Sequence, residues 1–272
     1  MKIAQFYDKG HIRLGIIDVH RLIPLDFKGE MINFIKTKPE CKPSGKAIAL
    51  DSITLAPPVS SPSKIVAIGL NYIDHIRESK GEIPEFPLIF AKFPNSLIGH
   101  KDLITWDVNL TKKVDFEAEL AVIIGKRVHR CSVTEAMEAI FGYTCANDVS
   151  ARDLQFGDGQ WVRGKSLDTF CPLGPWITTA DDITDPHSLY IRCWLNGLIM
   201  QDSTTRMMIF KLPDLISFIS HNFTLSPGDI VLTGTPHGVG TFREPSIYMK
   251  DGDEVVVEIE KVGRLVNVCH TI

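Results

Sequence analysis

The stretch DFEAELAVIIG, residues 115–125, sets two carboxylates at the head of an apolar run that reads as a β-strand. Successive strand side chains leave opposite faces, so Glu117 and Glu119 share one face while Phe116, Ala118 and Leu120 share the other. Two like charges placed so close repel each other. On a strand whose continuation LAVIIG reads as core, burying both is costly without a counter-charge. Taken alone, the pair leaves four readings open: a metal ion, a shared proton, Lys or Arg partners, or a solvated polar face.

Other strand-like runs surround this one: KIVAIG (64–69), PLIFAKF (87–93), LYIRCWL (189–195), DIVLTG (229–234) and EVVVEIE (254–260), several alternating at period two. Helices are fewer. Ser132 and Glu135 in S-V-T-E form a capping-box pattern ahead of AMEAI, and a second helix is expected from Pro213 to Ser220. Toward the N-terminus, Ile12, Leu14 and Ile16 alternate, followed by Val19, Leu22 and Ile23, then a Lys- and Pro-containing polar segment around 36–46. APPVSSPSK (56–64) disfavours helix and inner strand alike and marks a boundary. The expected organisation is a small strand-rich N-terminal domain, 1–60, and a main domain, 61–272. There is no internal repeat, and the fold class is mainly β (α+β), with a closed or rolled sheet rather than βαβ units.

Composition narrows the function. The 272 residues are 44% hydrophobic and 23% charged, as in a folded globular chain and unlike a disordered one. A formal charge of −4 with scattered basic residues gives no footprint for nucleic acid or an anionic membrane. The opening MKIAQFYDKGHIRLGII lacks the pattern of an export signal, and no apolar run reaches 18 residues, so a cytoplasmic protein is expected. Six cysteines without a CxxC pair argue against a zinc knuckle or a disulfide framework.

Asp148 follows the apolar FGYTCAN at a strand-end position, where a scaffold commonly presents a functional carboxylate. With Glu117 and Glu119 it makes a set of hard oxygen donors suited to Mg²⁺ or Mn²⁺; calcium suits catalysis less, and zinc would recruit His or Cys. GQWVRGKS (159–166) matches the phosphate-loop pattern letter for letter, yet it follows the polar RDLQFGDG and leads into LDTFCPLGP rather than joining a buried strand to a helix. Nucleotide hydrolysis is therefore set aside.

Five blocks in order, NYIDHIRE (71–78), DFEAEL (115–120), NDVSARDLQ (147–155), RGKSLDTFCPLGP (163–175) and LTGTPHGVG (232–240), resemble the fumarylacetoacetate hydrolase family. The likeness runs from residue 64 to about 260 and is nearest the longer bacterial subgroup labelled 2-hydroxyhepta-2,4-diene-1,7-dioate isomerase or ureidoglycolate lyase. It implies a mixed β-sandwich roll like the family's C-terminal domain, usually homodimeric, with Mg²⁺ or Mn²⁺ on Glu117, Glu119 and Asp148. It further implies Lys165 beside the metal, Arg152, Gln155 and Thr235 lining a substrate pocket, and the family's His and Glu at His75 and Glu78. The block DLITWDVNLTKKVDFE (102–117) departs from the founding hydrolases, which bring an additional carboxylate ligand from elsewhere.

Such a centre suits a small anionic 2-oxo acid, whose enolate a divalent ion and Lys165 would stabilise. The leading expectation is a hydrolase that cleaves a C–C bond in an acylpyruvate, with His75 activating water and Glu78 orienting the imidazole. Read alone, the hydrophilic surroundings DHIRESKGE favour a surface histidine at position 75, and the same segment could be a lid. The alternatives are an isomerase, tautomerase or decarboxylase of a 2-oxo dioic acid such as oxaloacetate, and a catalytically silent small-molecule binder. GTPHGVG is expected to offer backbone N–H groups to a substrate carboxylate, to be a tight turn needing positive φ, or both.

Overall fold

The computed structural model describes residues 1–272. The Glu-bearing strand, Ala118–Ile124, lies inside a 12-stranded sheet, antiparallel to Ile140–Asn147 on one side and to Ile230–Leu232 on the other. All seven of its residues are buried, because both faces of the sheet are covered. Ala118, Leu120, Val122 and Ile124 enter the larger core. Ala121 and Ile123 enter a second core shared with Met31, Phe34 and Ile35 from the N-terminal segment. Double burial explains why LAVIIG reads as a continuous apolar run rather than an alternating one.

Beyond Ile230–Leu232 the sheet continues through the parallel strand Ile65–Gly69 to its edge at Leu88–Lys92. In the other direction Ile140–Asn147 pairs with Cys171–Thr179, which pairs with Lys2–Asp8, so the N-terminal strands extend this same sheet. A 5-stranded sheet packs across the larger core, in the order Leu198–Thr204, Tyr190–Leu195, Glu254–Ile259, Gly263–Thr271, Leu103–Trp106. The chain is mainly β, with sheets facing each other and helices at the periphery, as expected.

The helices are short. Ser132 Oγ accepts the Glu135 N–H and Glu135 Oε2 accepts the Ser132 N–H at 2.9 Å, completing the capping box, although only Val133–Ala136 is α-helical before the chain tightens into a 3₁₀ turn. Leu212–Asn222 exceeds the expected helix at both ends. Ile73–Ser79 and the pair Arg152–Gly157 and Val162–Lys165 carry functional candidates. No helix is long and apolar enough to cross a membrane.

Candidate active site

Strand pairing assembles the carboxylates. Ala118 lies opposite Asn147, and the Asp148 N–H donates to the Glu117 carbonyl at 2.9 Å, so the two glutamates and Asp148 converge at one end of the sheet. One oxygen from each carboxylate lies within 4.8 Å of the others, and all three residues are buried. Glu117 is fully engaged: Oε1 meets Arg152 Nη1 at 2.7 Å and Oε2 meets Lys165 Nζ at 2.7 Å. Lys165 Nζ also lies 2.7 Å from Asp148 Oδ2, bridging the two acids. Burial pushes the Glu117 carboxyl up, but Lys165 and Arg152 outweigh it and hold the group at about 2.

Glu119 is treated differently. Its one hydrogen-bond partner is the Gly234 N–H at 2.8 Å, and no lysine or arginine reaches it. Burial, with Asp148 and Glu117 close by, pushes its carboxyl well above the usual range. A buried carboxylate lacking a cation beside two others is the arrangement a divalent ion relieves, and the all-oxygen donor set suits a hard cation. The three residues fit a metal.

Two charged residues at this centre had not been singled out from sequence. Lys92, 1% exposed, donates to Asp148 Oδ1 at 2.6 Å and to the carbonyls of Val149 and Lys165. Asp115 accepts from Arg152 Nε at 2.9 Å. The only sequence signal for Lys92 is a lysine closing an apolar strand, PLIFAK, on the face that carries Phe90. With both included, four carboxylates face three cationic side chains, an excess of one negative charge that a divalent ion turns into one positive.

The remaining candidates gather at the same place. A cavity of about 70 Å³ is lined by His75, Glu117, Glu119, Arg152, Gln155, Lys165 and Thr235, with Phe90 and Trp161 among its apolar neighbours. His75 is 7% exposed rather than a surface residue, because Ile73–Ser79 turns it inward. Its Nδ1 lies 3.3 Å from Glu78 Oε2, one helical turn away. Gln155 Oε1 accepts from Arg152 Nη1 at 2.9 Å, and Thr235 Oγ1 accepts from Gln201 Nε2 at 2.8 Å. Arg152 Nη2 is buried with no partner, a donor aimed at nothing in the protein.

The glycine-rich segment takes the expected tight-turn form, with Gly234 and Gly238 at positive φ. The N–H groups of Gly234, Gly238 and Gly240 donate to Glu119, Glu78 and Asp115 respectively, so these three amides hold protein carboxylates. Gly240 is required by space: a Cβ there would stand 1.8 Å from the Ile247 carbonyl oxygen. His237 is exposed and pairs with Asp74 at 3.0 Å. The phosphate-loop look-alike folds as a helix following another helix, its lysine turned to carboxylates.

Residues 64–270 match the family model described as fumarylacetoacetate hydrolase C-terminal. Over 221 residues the chain is 48% identical to the mitochondrial oxaloacetate tautomerase of Rattus norvegicus, covering 81% of this chain and 70% of that one. Among solved structures, a fumarylacetoacetate hydrolase from Exiguobacterium antarcticum superposes with a TM-score of 0.91 at 34% identity, covering all of both chains. A 2-hydroxyhepta-2,4-diene-1,7-dioate isomerase from Mycobacterium marinum does so with a TM-score of 0.84 at 33% identity, over 100% of this chain and 98% of that one. The rat relative is designated mitochondrial, so it lends no support to the cytoplasmic expectation. The chain belongs to the fumarylacetoacetate hydrolase family.

Proposed function

We propose that this protein is a metal-dependent tautomerase that interconverts the keto and enol forms of a short 2-oxo dioic acid of the oxaloacetate class. The observation that carries this reading is His75, buried in the wall of the cavity that Glu117 and Glu119 also line, with the part-exposed Glu78 3.3 Å from its Nδ1. With Nδ1 facing Glu78, Nε2 is the ring nitrogen left to exchange a proton. It removes a proton from the carbon next to the keto group, and the electron pair passes through the new C–C double bond to the keto oxygen. Glu78 stabilises the imidazolium that results, and returning the proton to the oxygen completes the enol. Lys165 places positive charge where the enolate develops. A divalent ion on Glu117, Glu119 and Asp148, Mg²⁺ or Mn²⁺ by its donor set, supplies Lewis acidity to the acid's oxygens. Arg152 Nη2 is the donor we assign to a substrate carboxylate.

Acylpyruvate hydrolysis, the leading expectation from sequence, has less support. The 48% identical relative is named a tautomerase, and the Mycobacterium marinum neighbour is named an isomerase. The deciding assay follows enol absorbance of oxaloacetate with metal-stripped and Mg²⁺- or Mn²⁺-restored protein while products are identified. Faster enol–keto relaxation that chelation abolishes, without cleavage products, supports the proposal; faster cleavage of acylpyruvates, or indifference to chelation, overturns it. The homodimer that the resemblance implies belongs to the same proposal, and light scattering on the eluted protein reads it directly.

A further inference from the structure

We infer that Trp161 is a specificity-determining residue that closes the far end of the cavity and restricts the substrate to short diacids, four or five carbons rather than seven. This inference rests on the functional reading above.

Three observations place the indole. Trp161 opens the helical turn that ends in Lys165, and its carbonyl accepts the Lys165 N–H at 3.0 Å, so the wall and the charged centre belong to one rigid turn. Phe90 sits between them, with Lys165 Nζ 5.2 Å from its ring centroid and the Trp161 ring edge-on at a centroid distance of 5.3 Å. Behind the indole lies Gly69, where a Cβ would come within 2.5 Å of Trp161 Cζ3. The half-buried indole thus packs directly on the backbone of the strand Ile65–Gly69, with no slot between the two.

Chain length is what this wall reads. With the keto acid end at the carboxylate centre, we take added carbons to project toward Phe90 and Trp161, which line the same cavity. Each carbon lengthens an extended chain by about 1.3 Å, so a seven-carbon diacid reaches about 4 Å further than a four-carbon one. That extra reach must displace the indole. It would also press a terminal carboxylate against an aromatic wall, a desolvation cost that shorter acids avoid by ending nearer Arg152.

The test uses the full chain loaded with Mg²⁺, and calorimetric affinities for oxaloacetate, 2-oxoglutarate, 2-oxoadipate and 2-oxopimelate. The unsubstituted protein is expected to bind the four-carbon acid at least tenfold more tightly than the seven-carbon acid. Trp161→Ala is expected to narrow that ratio at least tenfold, and Trp161→Leu, which keeps an apolar side chain, to give an intermediate value. Circular dichroism establishes that each variant is folded. A ratio unmoved in both variants, or a parent protein indifferent to length, overturns the wall and leaves the tautomerase proposal standing. Failure of every acid to bind the Mg²⁺-loaded parent overturns both.

Discussion

The Gly238 N–H donates to Glu78 Oε1 at 2.9 Å, so the acid that orients the imidazole is itself held by the glycine-rich turn. Its other oxygen, Oε2, faces His75 Nδ1. Glu78→Gln keeps an acceptor for Gly238 but loses the charge that stabilises an imidazolium. Turnover of the metal-loaded enzyme is expected to fall about 10- to 100-fold, and His75→Ala to cost about 10²- to 10⁴-fold. Mg²⁺ affinity measured by calorimetry should stay within about threefold in both variants; its loss would show that the pair supports the metal site rather than proton transfer.

Glu119 makes the metal-free protein sensitive to pH. Its carboxyl is held above the ordinary value of 4.5, so the folded state keeps a proton that the unfolded chain has released. Folding stability without metal should therefore fall as pH rises above 4.5. Urea unfolding in the presence of a chelator should show this decline. Glu119→Gln should flatten it and also weaken Mg²⁺ binding; a slope or an affinity that does not change would remove Glu119 from this role.

Lys92 neutralises Asp148 from the side opposite Lys165, at 2.6 Å and fully buried. Lys92→Met leaves Asp148 Oδ1 without its cation, and breaking a buried pair in this way costs about 3–5 kcal/mol. Mg²⁺ supplies replacement charge, so the loss in Tm should be smaller with metal than with chelator. Equal losses under the two conditions would mean that Lys92 acts through packing alone.

His100 resists protonation. Burial, reinforced by Lys101 and Arg264, lowers it from 6.5 to about 4, while its Nδ1 accepts the Val266 N–H at 3.1 Å. Between these values the unfolded chain binds a proton that the folded chain refuses, so stability falls as the pH drops from 6.5 toward 4. The loss should amount to roughly 1–3 kcal/mol, allowing for partial exposure. His100→Asn should flatten that part of the profile in denaturant titrations; a profile identical to the parent's would refute the assignment.

Local chemistry and periodicity reached a definite depth. The two-residue spacing in E-A-E was enough to put Glu117 and Glu119 on one face, since strand geometry depends only on neighbours in the chain. S-V-T-E likewise announced a helix start, whereas the hydrophilic surroundings of His75 favoured a surface histidine and its pairing with Glu78 came from the family blocks. Asp148 and Lys165 needed the family blocks around them, because nothing local ties position 148 or 165 to position 117. What tertiary structure alone decided was the choice of partners. Lys92 and Asp148 lie 56 positions apart, and Gly238 and Glu78 160 apart. A turn rich in free N–H groups looks the same in sequence whether those groups meet a substrate or a protein carboxylate. The difference comes from which strand ends and helices converge on it, and here they deliver Glu119, Glu78 and Asp115 to its amides and leave the buried Arg152 Nη2 without a protein partner.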